Sequence, residues 1–167
     1  HGAAVDAPER SEGAARTDET PTPFEQTPGP QYIFEHGCDE LMTIRLTASP
    51  VRQTDLFEHH AAGTYLILDL EIRNQSSYPL MVWDKDYTIE GKLAERTVSY
   101  TPDPAASGYL YLNGGVHLRK DVIQAGESWR VALAFDIDPT LSDIQLVFRP
   151  GSEFNQTVCE ARFSIAQ

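Results

Sequence analysis

The residues of this chain whose types and spacing could do chemistry are few, and each has a plainer reading beside it. A free N-terminal histidine such as His1 can chelate copper through its amine and ring nitrogen. A second histidine would complete a brace, and His36, His59, His60 and His117 are the candidates. His1, however, opens a proline-rich stretch, which argues for a processing remnant over a built metal centre. The adjacent His59 and His60 point to opposite sides of an extended backbone and so chelate one ion poorly. The run DLFEHHAAG around them reads as a loop carrying solvated rings. Asp84, Asp86 and Glu90, and the pair Asp136 and Asp138, offer carboxylate oxygens. Calcium takes roughly six to eight oxygens, and this spacing lacks the central glycine of an EF-hand loop. No metal or other cofactor is assigned. There is no GxSxG, no HExxH and no cysteine in a reactive setting, so the chain reads as a protein that is not an enzyme.

Cys38 and Cys159 stand outside any CxxC and lack histidines at zinc-ligand spacing. The favoured reading is a disulfide that ties the approach to the first strand to the last strand, which places the protein in an oxidising compartment. The alternative is a pair of buried free thiols. Asn74-Gln75-Ser76 and Asn155-Gln156-Thr157 match the N-x-[ST] acceptor pattern, which makes Asn74 and Asn155 candidate glycosylation sites. Asn74 also suits a strand-ending turn for backbone reasons alone. In SGYLYLNGG, a short strand would set Tyr109 and Tyr111 on one face, as a partner- or sugar-binding surface of low entropy cost.

The elements that must position these residues follow from patterning. With 25 acids against 13 Lys and Arg, the net charge of −12 disfavours nucleic acid and anionic membranes as partners. No apolar run approaches the ~18 residues of a membrane span. The sequence opens at His1 without an initiator methionine and shows no signal peptide, as a processed product would, which leaves room for a removed signal or anchor upstream. Residues 1–31 hold five of the eleven prolines and six acids against two arginines. They read as a flexible linker or docking tail unable to bury enough surface to offset its ordering entropy.

From residue 32 to 167 a single domain is expected, and beyond residue 40 the hydrophobic period is two. Met42, Ile44 and Leu46 alternate with polar neighbours, as do Leu66, Leu68, Leu70 and Ile72. Trp129, Val131, Leu133, Phe135 and Ile137 repeat the pattern; Ile144, Leu146 and Phe148 follow, then Cys159, Ala161, Phe163 and Ile165. PLMVWD and DYTIEG read as shorter strands. Turn-rich runs such as NQSSYP, PDPAASG and NGG separate them, and no helical period extends over ten residues. The fold class expected is all-β: an immunoglobulin-like antiparallel sandwich of seven to eight strands.

Two blocks carry a family resemblance. GTYLILDLEIRNQSSYPL is similar to the signature strand of the DUF4352 family, related to extracellular proteins of the MPT63 type. VIQAGESWRVALAFDIDPTLSDIQLVF is similar to the family's second block. Together they cover residues 40–166. The resemblance implies an extracellular immunoglobulin-like sandwich, often lipoprotein-anchored in bacteria, and supplies no catalytic residues. Residues 93–120 are longer and more aromatic than the family pattern. The function expected is protein–protein contact in adhesion or assembly at the cell surface, with copies of itself as one class of partner. In the assembly version, tail residues 20–34 donate a strand to a neighbour, anchored by Phe24, Tyr32, Ile33 and Phe34. A copper protein built on His1 and a carbohydrate-binding module are the alternatives.

Overall fold

A computed structural model describes residues 31–33, 41–114, 122–151 and 159–165. Cys38, Phe24, Phe34, His1, His36, His117 and Asn155 lie outside the described residues.

The strand with the strongest alternation organises the fold. Strand β4 (His59–Asn74) buries Leu66, Leu68, Leu70 and Ile72 on one face. Along one edge it pairs with β2 (Met42–Leu46) and then β3 (Val51–Leu56), both antiparallel. Along the other it pairs with β9 (Ser128–Ile137), from Thr64 opposite Ile137 to Arg73 opposite Ser128. The short β1 (Gln31–Ile33) adds to β2, with Tyr32 opposite Ile44. A second sheet runs in the order β11 (Ala161–Ser164), β10 (Ser142–Phe148), β6 (Tyr87–Leu93) and β7 (Arg96–Tyr100). Strands β5 (Leu80–Met81) and β8 (Val122–Ile123) form a small separate pair.

The inner faces of the two sheets meet in one core. Ile44, Leu68, Leu133, Phe135, Ile89, Leu146 and Phe148 are fully buried there, each contributing about 1.5–3 kcal/mol by its removal from water. Every residue that the alternation placed inward on β2, β4, β9 and β10 is in this core, as are Cys159, Ala161, Phe163 and Ile165. The architecture is therefore an all-β sandwich of antiparallel strands, eight of them four residues or longer among the described residues.

Three local expectations differ from the structure. PLMVWD supplies only Leu80–Met81 as strand, because the backbone then turns into a single 3-10 turn at Asp84–Asp86. His59 and His60 open β4 instead of sitting in a loop, since β3 folds back on β4 through a two-residue turn at Phe57 and Glu58. The largest difference is at PDPAASGYLYLNGG, where the structure has helix α1 (Pro104–Gly114) and no strand. Asp103 caps it: its Oδ1 accepts the Ala106 N–H at 2.9 Å, with Pro104 at the first helical position where a missing N–H costs nothing.

On the outer face of the second sheet, Arg162 bridges Glu90 and Glu160, and Arg149 donates to Glu160 at 2.7 Å. Val147, in the middle of that face and paired with Arg162, is fully buried. Hydrogen bonds from Arg149 and then Arg162 hold the Glu160 carboxyl below its usual value of 4.5. A depressed carboxylate stabilises the fold fully above its unfolded value, and that contribution is lost as pH falls through the folded one. Denaturation midpoints are therefore expected to fall with pH below 4.5, and Arg162→Gln should flatten that slope. Because these side chains are about one-third exposed, the effect is small.

Candidate functional site

Helix α1 lies on the outer face of the first sheet, and the strands beneath are made to receive it. Ala132 and Ala134 on β9 present small side chains outward, so the helix can approach closely. Leu56, Tyr65, Ala106 and Ala134 form a second buried cluster there, flanked by Ala61, Ile67, Tyr109 and Leu110. The start of the helix also closes the free edge of β9. Asp103 N–H donates to the Ala134 carbonyl at 2.7 Å, and the Ser107 hydroxyl bridges the Ala134 N–H and carbonyl at 3.0 and 3.3 Å. Backbone groups that would invite another strand are thereby satisfied.

The helix turns its exposed side to solvent beside the β3–β4 turn. Phe57, 72% exposed, stacks on Tyr109 with ring centroids 5.9 Å apart and planes 7° from parallel. His59 meets the same tyrosine edge-on at 5.9 Å. Tyr111 is 42% and Leu112 is 79% exposed on the outer turns. Below Tyr109 a groove of about 280 Å³ runs between helix and sheet, with Ile67, Leu110 and Ala132 along it and Asn113, Asp69 and Arg130 at its polar side. Asp69 and Arg130 pair loosely at 3.5 Å.

Tyr109 and Tyr111 therefore do not share a face as two strand residues would; on a helix they point to different sides, and Tyr109 is the half-buried one. Phe57 was not singled out by the sequence. Its backbone φ of 55° lies in the left-handed region that glycine prefers, at a cost of about 1–2 kcal/mol for an L-residue. The stack on Tyr109 returns about 0.5–1.5 kcal/mol, and a glycine in its place would lose more backbone entropy on folding. These terms offset one another, so Phe57→Gly is expected to shift stability by less than about 1 kcal/mol in chemical denaturation. A loss well beyond that would make the stack a stability element of the fold.

The other candidate groups serve the framework. Asp136 accepts the N–H groups of Ala62 and Gly63 at 2.8 and 2.9 Å, and Asp138 caps Thr140. Asp86 is buried and accepts from the Trp83 N–H at 2.9 Å, and Glu90 pairs with Arg162. His60 Nδ1 lies 2.6 Å from Asp55 on the surface, and this contact lowers the Asp55 carboxyl. Among the described residues no group of three or more His, Cys, Asp or Glu converges as a metal site.

Asn74 is a correction. It is fully buried, its Nδ2 donating to the Tyr78 and Ile123 carbonyls at 2.8 and 2.9 Å. Its Oδ1 accepts the Ser76 N–H and hydroxyl at 2.9 and 2.6 Å. Such an amide has no room and no free hydrogen for a glycan. Tyr32 and Ile33 lie in β1 on this chain's own sheet. Cys159 is buried and is not a free thiol.

The strand ending in this asparagine and the run from β8 through β9 to β10 hold the two blocks in which the sequence resembles the family, and the family model for DUF4352, a domain of unknown function, matches residues 40–160. The chain belongs to the DUF4352 family. Its solved neighbours share the fold at low identity. A candidate lipoprotein of Bacillus subtilis, ycdA, matches with a TM-score of 0.53 at 17% identity, over 78% of this chain and 38% of that one. The chain thus spans well under half of that structure. A functionally unknown protein from Listeria monocytogenes EGD-e matches with a TM-score of 0.50 at 19% identity, over 83% of this chain and 80% of that one. No curated protein matches the chain. Within this DUF4352 domain, residues 93–120 include β7 and helix α1.

Proposed function

We propose that this DUF4352 domain is a non-enzymatic extracellular module of the cell surface that works by protein–protein contact. The observation that supports this reading is the exposed Phe57 stacked on the half-buried Tyr109 of α1 beside a groove between helix and sheet, with Tyr111 and Leu112 exposed on the outer turns of the same helix. Large exposed apolar and aromatic side chains beside a groove are a feature of interaction surfaces. The candidate-lipoprotein assignment of the ycdA structure supports a surface location. A Cys38–Cys159 disulfide fits the same compartment. If the tail takes part in assembly, β1 is the element exchanged between copies, because its place on β2 is filled by this chain's own residues.

Photo-crosslinking on intact producing cells tests the reading. A benzoylphenylalanine at Leu112 should trap another polypeptide, while one at Thr88 on the opposite sheet should not. Equal trapping at both sites, or none at either, would contradict it.

A further inference from the structure

The hairpin end of helix α1 combines three features that stability alone does not call for together. Phe57 is a large aromatic held at a backbone conformation that glycine prefers, and it is exposed. It is stacked nearly parallel on Tyr109, which supports the exposed Phe57 ring from one side, with His59 edge-on to Tyr109. The surroundings are acidic: Asp55 and Glu58 flank Phe57 on either side of the turn, both exposed. Farther in, burial and then the carboxylates of Asp103, Asp136 and Asp55 push the Tyr65 phenol above its usual range. The cation lining the adjoining groove, Arg130, lies beside Asp69 at the groove's polar side. The groove is apolar along Ile67, Leu110 and Ala132.

Aromatic faces attract cations through the ring quadrupole, and guanidinium groups stack best because they are planar. Surrounding carboxylates raise the local concentration of cations without fixing their position. An apolar groove beside such a face takes a neighbouring aliphatic side chain.

We propose that this face binds an extended, cationic peptide segment of a partner protein, seating an arginine on the Phe57 ring backed by Tyr109 and an aliphatic side chain in the groove between α1 and the sheet. The proposal rests on the interaction-module reading above and names the chemistry of its partner. An anionic segment is disfavoured by the same charges. A second copy of this chain, with its net charge of −12, is a poor occupant.

The test uses the full chain labelled in its phenylalanine and tyrosine rings. It is titrated with a short acetylated peptide of alternating arginine and leucine, with the glutamate–leucine counterpart, and with arginine–glycine. Arginine–leucine should shift the ring resonances of Phe57 and Tyr109, glutamate–leucine should not bind, and arginine–glycine should bind more weakly. Phe57→Gly should weaken arginine–leucine binding about three- to fivefold, the equivalent of one cation–π contact on an exposed ring. Phe57→Leu, which keeps an apolar side chain and removes the ring face, should fall between. Unchanged affinity in Phe57→Gly, with shifts scattered over the acidic surface, would reduce the binding to general charge attraction and overturn the proposal. So would equal binding of the glutamate peptide, or no binding at all. Crosslinks from Leu112 to a partner polypeptide without arginine-peptide binding would end this inference alone; absence of both would end the interaction reading as well.

Discussion

Replacing Asn74 by alanine is expected to cost about 3–4 kcal/mol of folding stability, a large share of the ~5–15 kcal/mol that holds a domain of this size. The side chain makes four hydrogen bonds in a fully buried position. Two go to the carbonyls of Tyr78 and Ile123, and two come from Ser76. Its backbone bonds Glu127 and Gly126 as well. It therefore ties the end of β4, the turn at 75–79, β8 and the entry to β9 at one point. Each buried polar group left without a partner costs about 1–3 kcal/mol, and alanine takes the amide donor from the buried Ile123 carbonyl, leaves the Ser76 N–H without its acceptor and leaves the Tyr78 carbonyl only the Ser76 hydroxyl. Asn74→Asp should be worse, since a carboxylate would face those carbonyls from inside the protein. Urea denaturation midpoints of the two variants measure this. A loss below about 1 kcal/mol for alanine would show that the turn re-forms without the side chain.

Gly63→Ala is expected to be the second most damaging single change. A Cβ at this position would lie 2.2 Å from the Ile137 carbonyl oxygen and 3.0 Å from its carbon, both backbone atoms of the paired strand β9. Backbone cannot rotate away, so β4 and β9 must separate at this end. The bonds from the Gly63 and Ala62 N–H groups to Asp136 would be strained with them. The expected loss is about 3 kcal/mol. Gly91→Ala is the informative comparison. There the nearest atoms, at 2.7 to 2.9 Å, belong to the Leu141 side chain, which can change rotamer. That variant should lose about 1 kcal/mol. Equal losses would mean that the close approach of Gly63 to β9 is not what constrains it.

These residues also show which parts of the molecule the sequence discloses. The inward positions of β2, β4, β9 and β10 are legible because each strand puts large apolar side chains on its core face and small or polar ones on most of the other, so period-two alternation survives even where the outer face is partly covered. Strand β3 is invisible by that criterion. Val51, Arg52, Thr54 and Asp55 are all exposed, so an edge strand leaves no hydrophobic stripe. Helix α1 is hidden for a different reason. Its buried residues are small and its exposed turns carry Tyr111 and Leu112, so no apolar face stands out from a polar one. The signals it did leave were an aspartate before a proline at 103–104, and glycine at 114–115. The alanines Ala132 and Ala134 on the outer face of β9 were a further sign, since small apolar residues there mean that something covers the sheet. Asn74 looked like a glycan acceptor because a sequon specifies three residues and says nothing of burial. Phe57 gave no signal, because only the observed φ sets it apart from any exposed phenylalanine.

The recognition face exists only if residues 104–114 form a helix docked on β4 and β9, and proton–proton contacts in solution test that most directly. The structure predicts helical backbone shifts from Pro104 to Gly114, contacts between the Tyr109 and Phe57 rings, and contacts from Ala106 to the Leu56–Tyr65–Ala134 cluster. Extended-chain shifts over 108–112, with Tyr109 and Tyr111 contacting a common neighbour and no contact to Phe57, would restore the strand expected from the sequence and contradict the account.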